Sequence, residues 1–140
     1  MSDFYDRLPI LDDFAEAAAL LGEEAARTEA DMARQGRALI ALGPRAVLMK
    51  GGHLPGEEAV DLLLTDDAVR RFAGPRLASA NLHGTGCTLS SAIAALVVHG
   101  KRLPEAVANG KAFVREAIEA GRGLEFGAGP GPLVQLELRR

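Results

Sequence analysis

The sequence predicts an α/β fold in which helices alternate with buried strands, and three observations predict it. Two helical segments lead into a short continuous apolar run, Ala46-Val47-Leu48-Met49, bounded by Pro44-Arg45 and Gly51-Gly52. A helix followed by such a run has the pattern of an αβ unit whose strand is buried on both faces. Two further strand-like runs, Val60-Asp61-Leu62-Leu63-Leu64 and Val69-Arg70-Arg71-Phe72, flank Asp66-Asp67, which suits the turn of a hairpin. Helical segments then return, and this alternation argues for helices layered on a sheet.

The elements follow in order. Phe14–Leu21 is Ala-rich and stops at Gly22, as a short helix does. Thr28-Glu29-Ala30-Asp31 opens the next helix, with Thr28 as its cap and the acids at its positive end. Met32, Leu39, Ile40 and Leu42 supply its apolar side, until Gly43-Pro44 ends it. After the three strands, residues 88–98 are a long run of small and apolar residues, which predicts a largely buried helix. Leu103-Pro104-Glu105 begins the last helix, with the proline in its first turn. Ala106, Val107, Phe113, Val114, Ala117 and Ile118 form its apolar stripe. The glycine- and proline-rich stretch that follows predicts irregular structure.

Composition narrows the function classes. The 140 residues suit a single domain spanning 1–140, with 48% apolar residues and a formal charge of −3. Without a basic run to neutralise a phosphate backbone, nucleic acid is excluded as a partner. Cys87 is the only cysteine, so no intrachain disulfide exists. The polar start of the chain and the absence of a long apolar run point away from a membrane and toward the cytoplasm.

One stretch carries chemistry: Asn81-Leu82-His83-Gly84-Thr85-Gly86-Cys87-Thr88-Leu89-Ser90-Ser91, running directly into the helix predicted at 88–98. Two glycines around a threonine let successive N–H groups turn the same way. At a helix N-terminus such unpaired donors make an anion site, with a phosphate as the natural ligand. Cys87 falls in the first turn of the same helix, where a thiolate is stabilised and can act as base or nucleophile. A base beside an anion hole is the pair that phosphoryl transfer requires. Glycine-rich turns before helices are also common, and a cysteine at a helix start is often only a small buried residue. The residues by themselves leave both readings open.

The string His-Gly-Thr-Gly-Cys-Thr-Leu-Ser at 83–90 resembles the signature of the hydroxymethylpyrimidine/phosphomethylpyrimidine kinases, thiamin-biosynthesis enzymes of the ribokinase-like fold. Ala46-Val47-Leu48-Met49-Lys50-Gly51-Gly52-His53-Leu54 is similar to a second block of that family. Glu16-Ala17-Ala18-Ala19-Leu20-Leu21 with Arg27-Thr28-Glu29 is similar to a third. The resemblance runs from about residue 8 to the tail and concerns only the C-terminal, nucleotide-binding half of the family's chain.

The resemblance implies the C-terminal half of a three-layer α/β/α ribokinase-like fold. It also implies a phosphotransferase that moves the ATP γ-phosphate to hydroxymethylpyrimidine and then to its monophosphate. Cys87 matches the family's catalytic base, and the backbone of Gly84, Thr85 and Gly86 its anion hole. Lys50 is placed to meet a nucleotide phosphate, the Gly-Gly after it favouring a phosphate-facing loop over an ordinary strand-end lysine. Glu16 matches the acid of an Asn-x-x-Glu element that organises Mg2+ through water. No cluster has metal-ligand spacing, so the magnesium would arrive with ATP.

The family's Thr-Pro-Asn-x-x-Glu element stands here as Leu11-Asp12-Asp13-Phe14-Ala15-Glu16, with Asp13 in place of the asparagine, and Leu82 replaces a small hydroxylated residue. Family members carry an N-terminal half, holding much of the acceptor pocket and of the central sheet, that nothing here matches. The expectation is therefore self-association as a homo-oligomer, or pairing with a separate N-terminal half. The alternative is a non-catalytic ATP- or phosphate-binding remnant or fragment of the kinase. A related vitamin such as pyridoxine stays open as the acceptor.

Overall fold

A computed structural model of the chain describes residues 10–12, 14–52, 54–125, 127–129 and 131–136; Asp13 and His53 lie outside these. The chain forms two compact units, Met1–Arg76 and Leu77–Arg140.

The first unit holds β1 (Ile10–Asp12), α1 (Phe14–Leu21), α2 (Glu29–Ile40), β2 (Ala46–Gly51), β3 (Glu58–Thr65) and β4 (Val69–Pro75). α2 begins where Thr28 predicts, through a reciprocal cap. Thr28 Oγ1 accepts the Asp31 N–H at 3.1 Å, and the Asp31 carboxylate accepts the Thr28 N–H at 3.0 Å. Two orphan donors are thus satisfied, which is worth about 1 kcal/mol. The helix closes earlier than the apolar pattern predicts. Leu42 lies beyond it and is 66% exposed. The N–H groups of Leu42 and Gly43 bond to the carbonyls of Leu39 and Ile40, three residues back, and this tightened turn takes Leu42 off the apolar face.

The strands form one sheet in the order β1-β2-β3-β4. β1 runs parallel to β2, with Ile10 opposite Val47, while β2–β3 and β3–β4 are antiparallel. The predicted hairpin is β3–β4, turning through Asp66-Asp67. Pleating sends Val47, Met49, Val60, Leu62 and Leu64 to one face, where they meet Met32 and Leu39 of α2 and Ala17 of α1. Leu48 and Leu63 point to the other face and are also buried, so β2 is covered on both faces as its apolar run predicts. Each such side chain contributes about 1.5–3 kcal/mol by leaving water. β2 continues two residues past Met49, so Lys50 sits within the strand and not in a loop. The cause is pairing: Lys50 and Gly51 are in register with Asp61 and Val60 of β3. β4 is the solvated edge, blunted by charge; Arg71 reaches both Glu29 and Glu58, at 2.9 and 2.8 Å.

The second unit is built on α3 (Thr85–Val98) and α4 (Leu103–Gly121). α3 starts at Thr85, three residues before the predicted start, because Thr88 N–H already bonds helically to Gly84 O at 2.9 Å. It ends in a Schellman motif: Lys101 N–H bonds to Leu96 O and Gly100 N–H to Val97 O, both at 3.0 Å. The expectation of a largely buried α3 is corrected. Leu89 and Ile93 are its buried side chains, while Cys87, Ser91, Ala95 and Val98 are exposed. Within this unit α3 packs along one side only, on α4, so uniform apolarity does not translate into burial all round. α4 carries Pro104 in its first turn and buries Ala106, Val107 and Ala117; Phe113 of the predicted stripe is 39% exposed. Residues 131–134 return against α4: Leu133 is buried and Val134 N–H donates to Ala117 O at 3.1 Å.

Candidate active site

The loop at 84–87 is organised by backbone geometry. Gly84 is the N-cap of α3 and takes φ +84°, a left-handed conformation that a side chain would strain. Being glycine, it offers no side-chain oxygen to the first turn, and no side-chain cap is made there. Thr88 is the first N–H bonded in the helical manner. The amides of Gly86 and Cys87 precede it and by helix geometry have no acceptor within the helix. Thr85 N–H makes only a long bond, 3.4 Å, to Leu82 O. A Cβ built on Gly84 would meet nothing within 4 Å, so the space beside the cap is open. Donors without acceptors, the positive end of a fourteen-residue helix and open space together make a cradle for an oxyanion.

Cys87 is the third residue of α3 and is exposed. It borders an open groove of about 680 Å³ that runs along α3 past Thr88, Ser91 and Ala95 to Phe113 and Gln135. Two polar contacts stiffen this turn. Ser90 Oγ donates to Gly86 O at 2.9 Å, and Gln135 Nε2 donates to Thr88 Oγ1 at 3.2 Å. The structure therefore gathers Gly84, Thr85, Gly86 and Cys87 into one helical turn, with donors and thiol at the same helix end.

Glu16 and Lys50 belong to the other unit. Glu16 stands exposed in the first turn of α1. Lys50 is half-buried in β2, opposite Asp61, whose Oδ1 accepts the Gly51 N–H at 3.0 Å. Among the described residues, no three His, Cys, Asp or Glu side chains converge as a metal site. No helix among the described residues is long and apolar enough to cross a membrane.

Two residues have positions that motif reading does not single out. Arg76, just after β4, donates from its guanidinium to four carbonyls: Gly52, Leu54 (2.5 Å), Gly56 (3.0 Å) and Glu58 (3.2 Å). It thereby ties down the loop that follows Lys50. Asn81 is 4% exposed and links the lead-in of the anion loop to the end of α4 through Gly121 O and Leu124 O. A buried amide next to a glycine-rich loop is a weak signal, and the partners of both residues are carbonyls, which no residue pattern marks.

Comparison with known proteins places these features. Residues 10–134 match the family model for phosphomethylpyrimidine kinase. A hydroxymethylpyrimidine/phosphomethylpyrimidine kinase from Rhizobium meliloti is 48% identical over 126 residues, covering 90% of this chain and 47% of that protein. The enzyme of the same name from Salmonella typhimurium is 49% identical over 118 residues, covering 84% of this chain and 44% of that one. The chain spans about half the length of the curated relatives it matches. Among solved structures, pyridoxal kinase from Staphylococcus aureus in complex with AMP-PCP and pyridoxal superposes with a TM-score of 0.87 at 26% identity, over 94% of this chain and 49% of that one. The fold is thus a ribokinase-like half, and the sheet it contains is largely antiparallel. On the match across residues 10–134 and the identity near one half, the chain belongs to the phosphomethylpyrimidine kinase family.

Proposed function

We propose that this chain is the phosphate-binding and proton-accepting half of a kinase that phosphorylates hydroxymethylpyrimidine and then its monophosphate, in thiamin biosynthesis in the cytoplasm. The observation that carries the reading is the single turn at 84–87, where unpaired amides and an exposed thiol share one helix end. The hydroxymethyl oxygen attacks the γ-phosphorus of ATP. A new O–P bond forms, the bond from the γ-phosphorus to the β,γ-bridging oxygen breaks, and ADP leaves. The hydroxyl proton passes to the Cys87 thiolate. The amides of Thr85, Gly86 and Cys87, with the Gly84 backbone, stabilise charge on the transferred phosphoryl oxygens. In the second turnover the monophosphate oxygen is the nucleophile toward another ATP. Lys50 supplies a positive charge for the nucleotide phosphates. Glu16 would hold the water shell of a magnesium ion carried by the nucleotide, which would supply neutralisation of the phosphate charge. The AMP-PCP and pyridoxal complex of the Staphylococcus aureus relative supports nucleotide use by this fold.

The reading includes a partner. α3 contains no charged residue, yet Val98 is 62% exposed and the groove beside Cys87 is open. An uncharged helix face of this kind is a surface to be covered. The occupant that fits is an N-terminal half of the same kinase fold, since the relatives are about twice as long.

The test is turnover with Mg-ATP and hydroxymethylpyrimidine, followed by mass spectrometry of the pyrimidine. It is run with the chain alone and with an N-terminal half supplied in trans, and pyridoxal serves as a second acceptor. Phosphorylated pyrimidine that requires the added half and vanishes in Cys87→Ala supports the reading. Product from the chain alone makes a second copy the occupant. ADP binding without turnover in either setting refutes the kinase reading and leaves a phosphate-binding module.

A further inference from the structure

We propose that Asn81 is the positioning residue of the phosphate loop: it sets the angle at which residues 84–87 present their amides, without touching the phosphate itself. The inference rests on the phosphate-site reading above and names what holds that site in shape.

The loop has few supports of its own. Leu82 and His83 are exposed, and Thr85 N–H has only the long bond to Leu82 O. Asn81, by contrast, is 4% exposed, and its side-chain nitrogen and its backbone N–H are both bonded. Its Nδ2 donates to Gly121 O at 2.5 Å, which also accepts the Leu124 N–H at 3.1 Å, and to Leu124 O at 2.7 Å, carbonyls at and just past the end of α4. Its own N–H donates to Ser79 Oγ at 3.0 Å. Its Oδ1 lies against Gly131 so tightly that a Cβ there would collide with it. Two residues later, His83 N–H donates to Gly131 O at 3.3 Å, and His83 bridges to Pro132. The lead-in at 79–83 is therefore wedged between the α4 terminus and residues 131–132, and Asn81 is the wedge. Only Leu82 and His83 separate it from the left-handed Gly84, so any shift at 81 is passed on to the cradle.

Chemistry distinguishes an amide here from its isostere. Two carbonyl oxygens face Nδ2, and only a two-hydrogen donor satisfies both. Asn81→Asp keeps the shape and sets a carboxylate oxygen against those carbonyls. Asn81→Ala removes the wedge without repulsion.

The experiment compares the wild-type chain with both variants by calorimetric titration of ADP and of adenosine, and by amide hydrogen exchange. The expected result is ADP binding weakened by about tenfold or more, as charge-assisted bonds lose alignment, while adenosine binding stays within about twofold. Exchange at His83 and Thr88, the donors to Gly131 O and Gly84 O, should quicken by about tenfold, while Met32 in the other unit is unchanged. Equal losses for ADP and adenosine would make Asn81 merely structural and overturn the proposal. If the wild-type chain binds neither ligand, the phosphate-site reading fails by itself. Exchange at His83 and Thr88 then still decides whether Asn81 sets the loop, and unchanged exchange overturns it.

Discussion

Two glycines at opposite ends of α3 provide a matched perturbation. Gly84 at the N-cap and Gly100 beyond the C-cap both have φ +84°, and a Cβ on either would meet nothing within 4 Å. Gly84→Ala and Gly100→Ala therefore carry the same cost, the left-handed backbone strain of an L-residue, with no clash added. That cost is about 1–2 kcal/mol at each site. Urea unfolding of the two variants should show similar losses, since the helix and the strain are shared.

Their effects on phosphate should differ. If the backbone of the Gly84→Ala variant relaxes out of the left-handed region, the amides of residues 85–87 no longer converge. A charged ligand then loses hydrogen bonds worth about 1.5–3 kcal/mol, or roughly tenfold to a hundredfold in affinity. At Gly100 the strained bonds are those of the Schellman turn, remote from the thiol and at the negative end of the helix. Titration of each variant with ADP is the assay. Gly84→Ala should bind at least about tenfold more weakly than Gly100→Ala at equal stability. Equal affinities in the two variants would refute the assignment of the phosphate to this loop.

Three further outcomes are expected. Ala95→Lys places a charge on the exposed groove wall of α3. It should abolish assembly with an N-terminal half in sedimentation velocity while moving the chain's own urea midpoint by no more than about 0.5 kcal/mol equivalent. Thr28→Ala removes the reciprocal cap of α2 and should cost about 1 kcal/mol in urea unfolding, with ADP affinity unchanged. Acid should loosen the first unit. The Thr28 hydroxyl and the Arg27 N–H hold the Asp31 carboxyl below its ordinary value, as Arg71 does for Glu29 and Arg34 for Glu23. Carboxyls depressed in the folded state stabilise fully above their ordinary values and cease to as the pH falls through the depressed ones. The urea midpoint should hold between about pH 7 and 5 and drop below about pH 4, with Asp31→Asn flattening the fall.

The fold is legible where one segment carries its own instructions. Thr28 with Asp31 three residues on, the run 46–49 and the Asp66-Asp67 turn each specify their element locally, and each appears. β1 is not legible. Ile10-Leu11-Asp12 offers only two apolar residues, and it is a strand because it pairs with Val47, Leu48 and Met49, thirty-seven positions away. Lys50 belongs to a strand where the glycines after it suggest a loop, for the same reason: strand length is set by the partner, here Asp61 and Val60 of β3. The glycine placement of the 84–87 turn is legible in the local residues, whereas the helix start is read three residues late, because the backbone of Gly84 already begins the helical bonding. The exposure of α3 is not, because an uncharged helix reads as buried whatever lies beside it. Asn81 and Arg76 stay silent because they act on carbonyl oxygens, which every residue possesses.

The Arg76 clamp has a consequence for conditions far from neutrality. Among the described residues its guanidinium is held by backbone carbonyls. Carbonyls do not titrate, so acid that protonates Glu29 and frees it from Arg71 leaves these bonds in place. A chain brought down in pH should therefore come apart unevenly, fraying first at the start of α2 and at the β4 edge. Gly52, Leu54, Gly56 and Glu58 would stay gathered on their arginine, a folded patch persisting in an otherwise loosened unit.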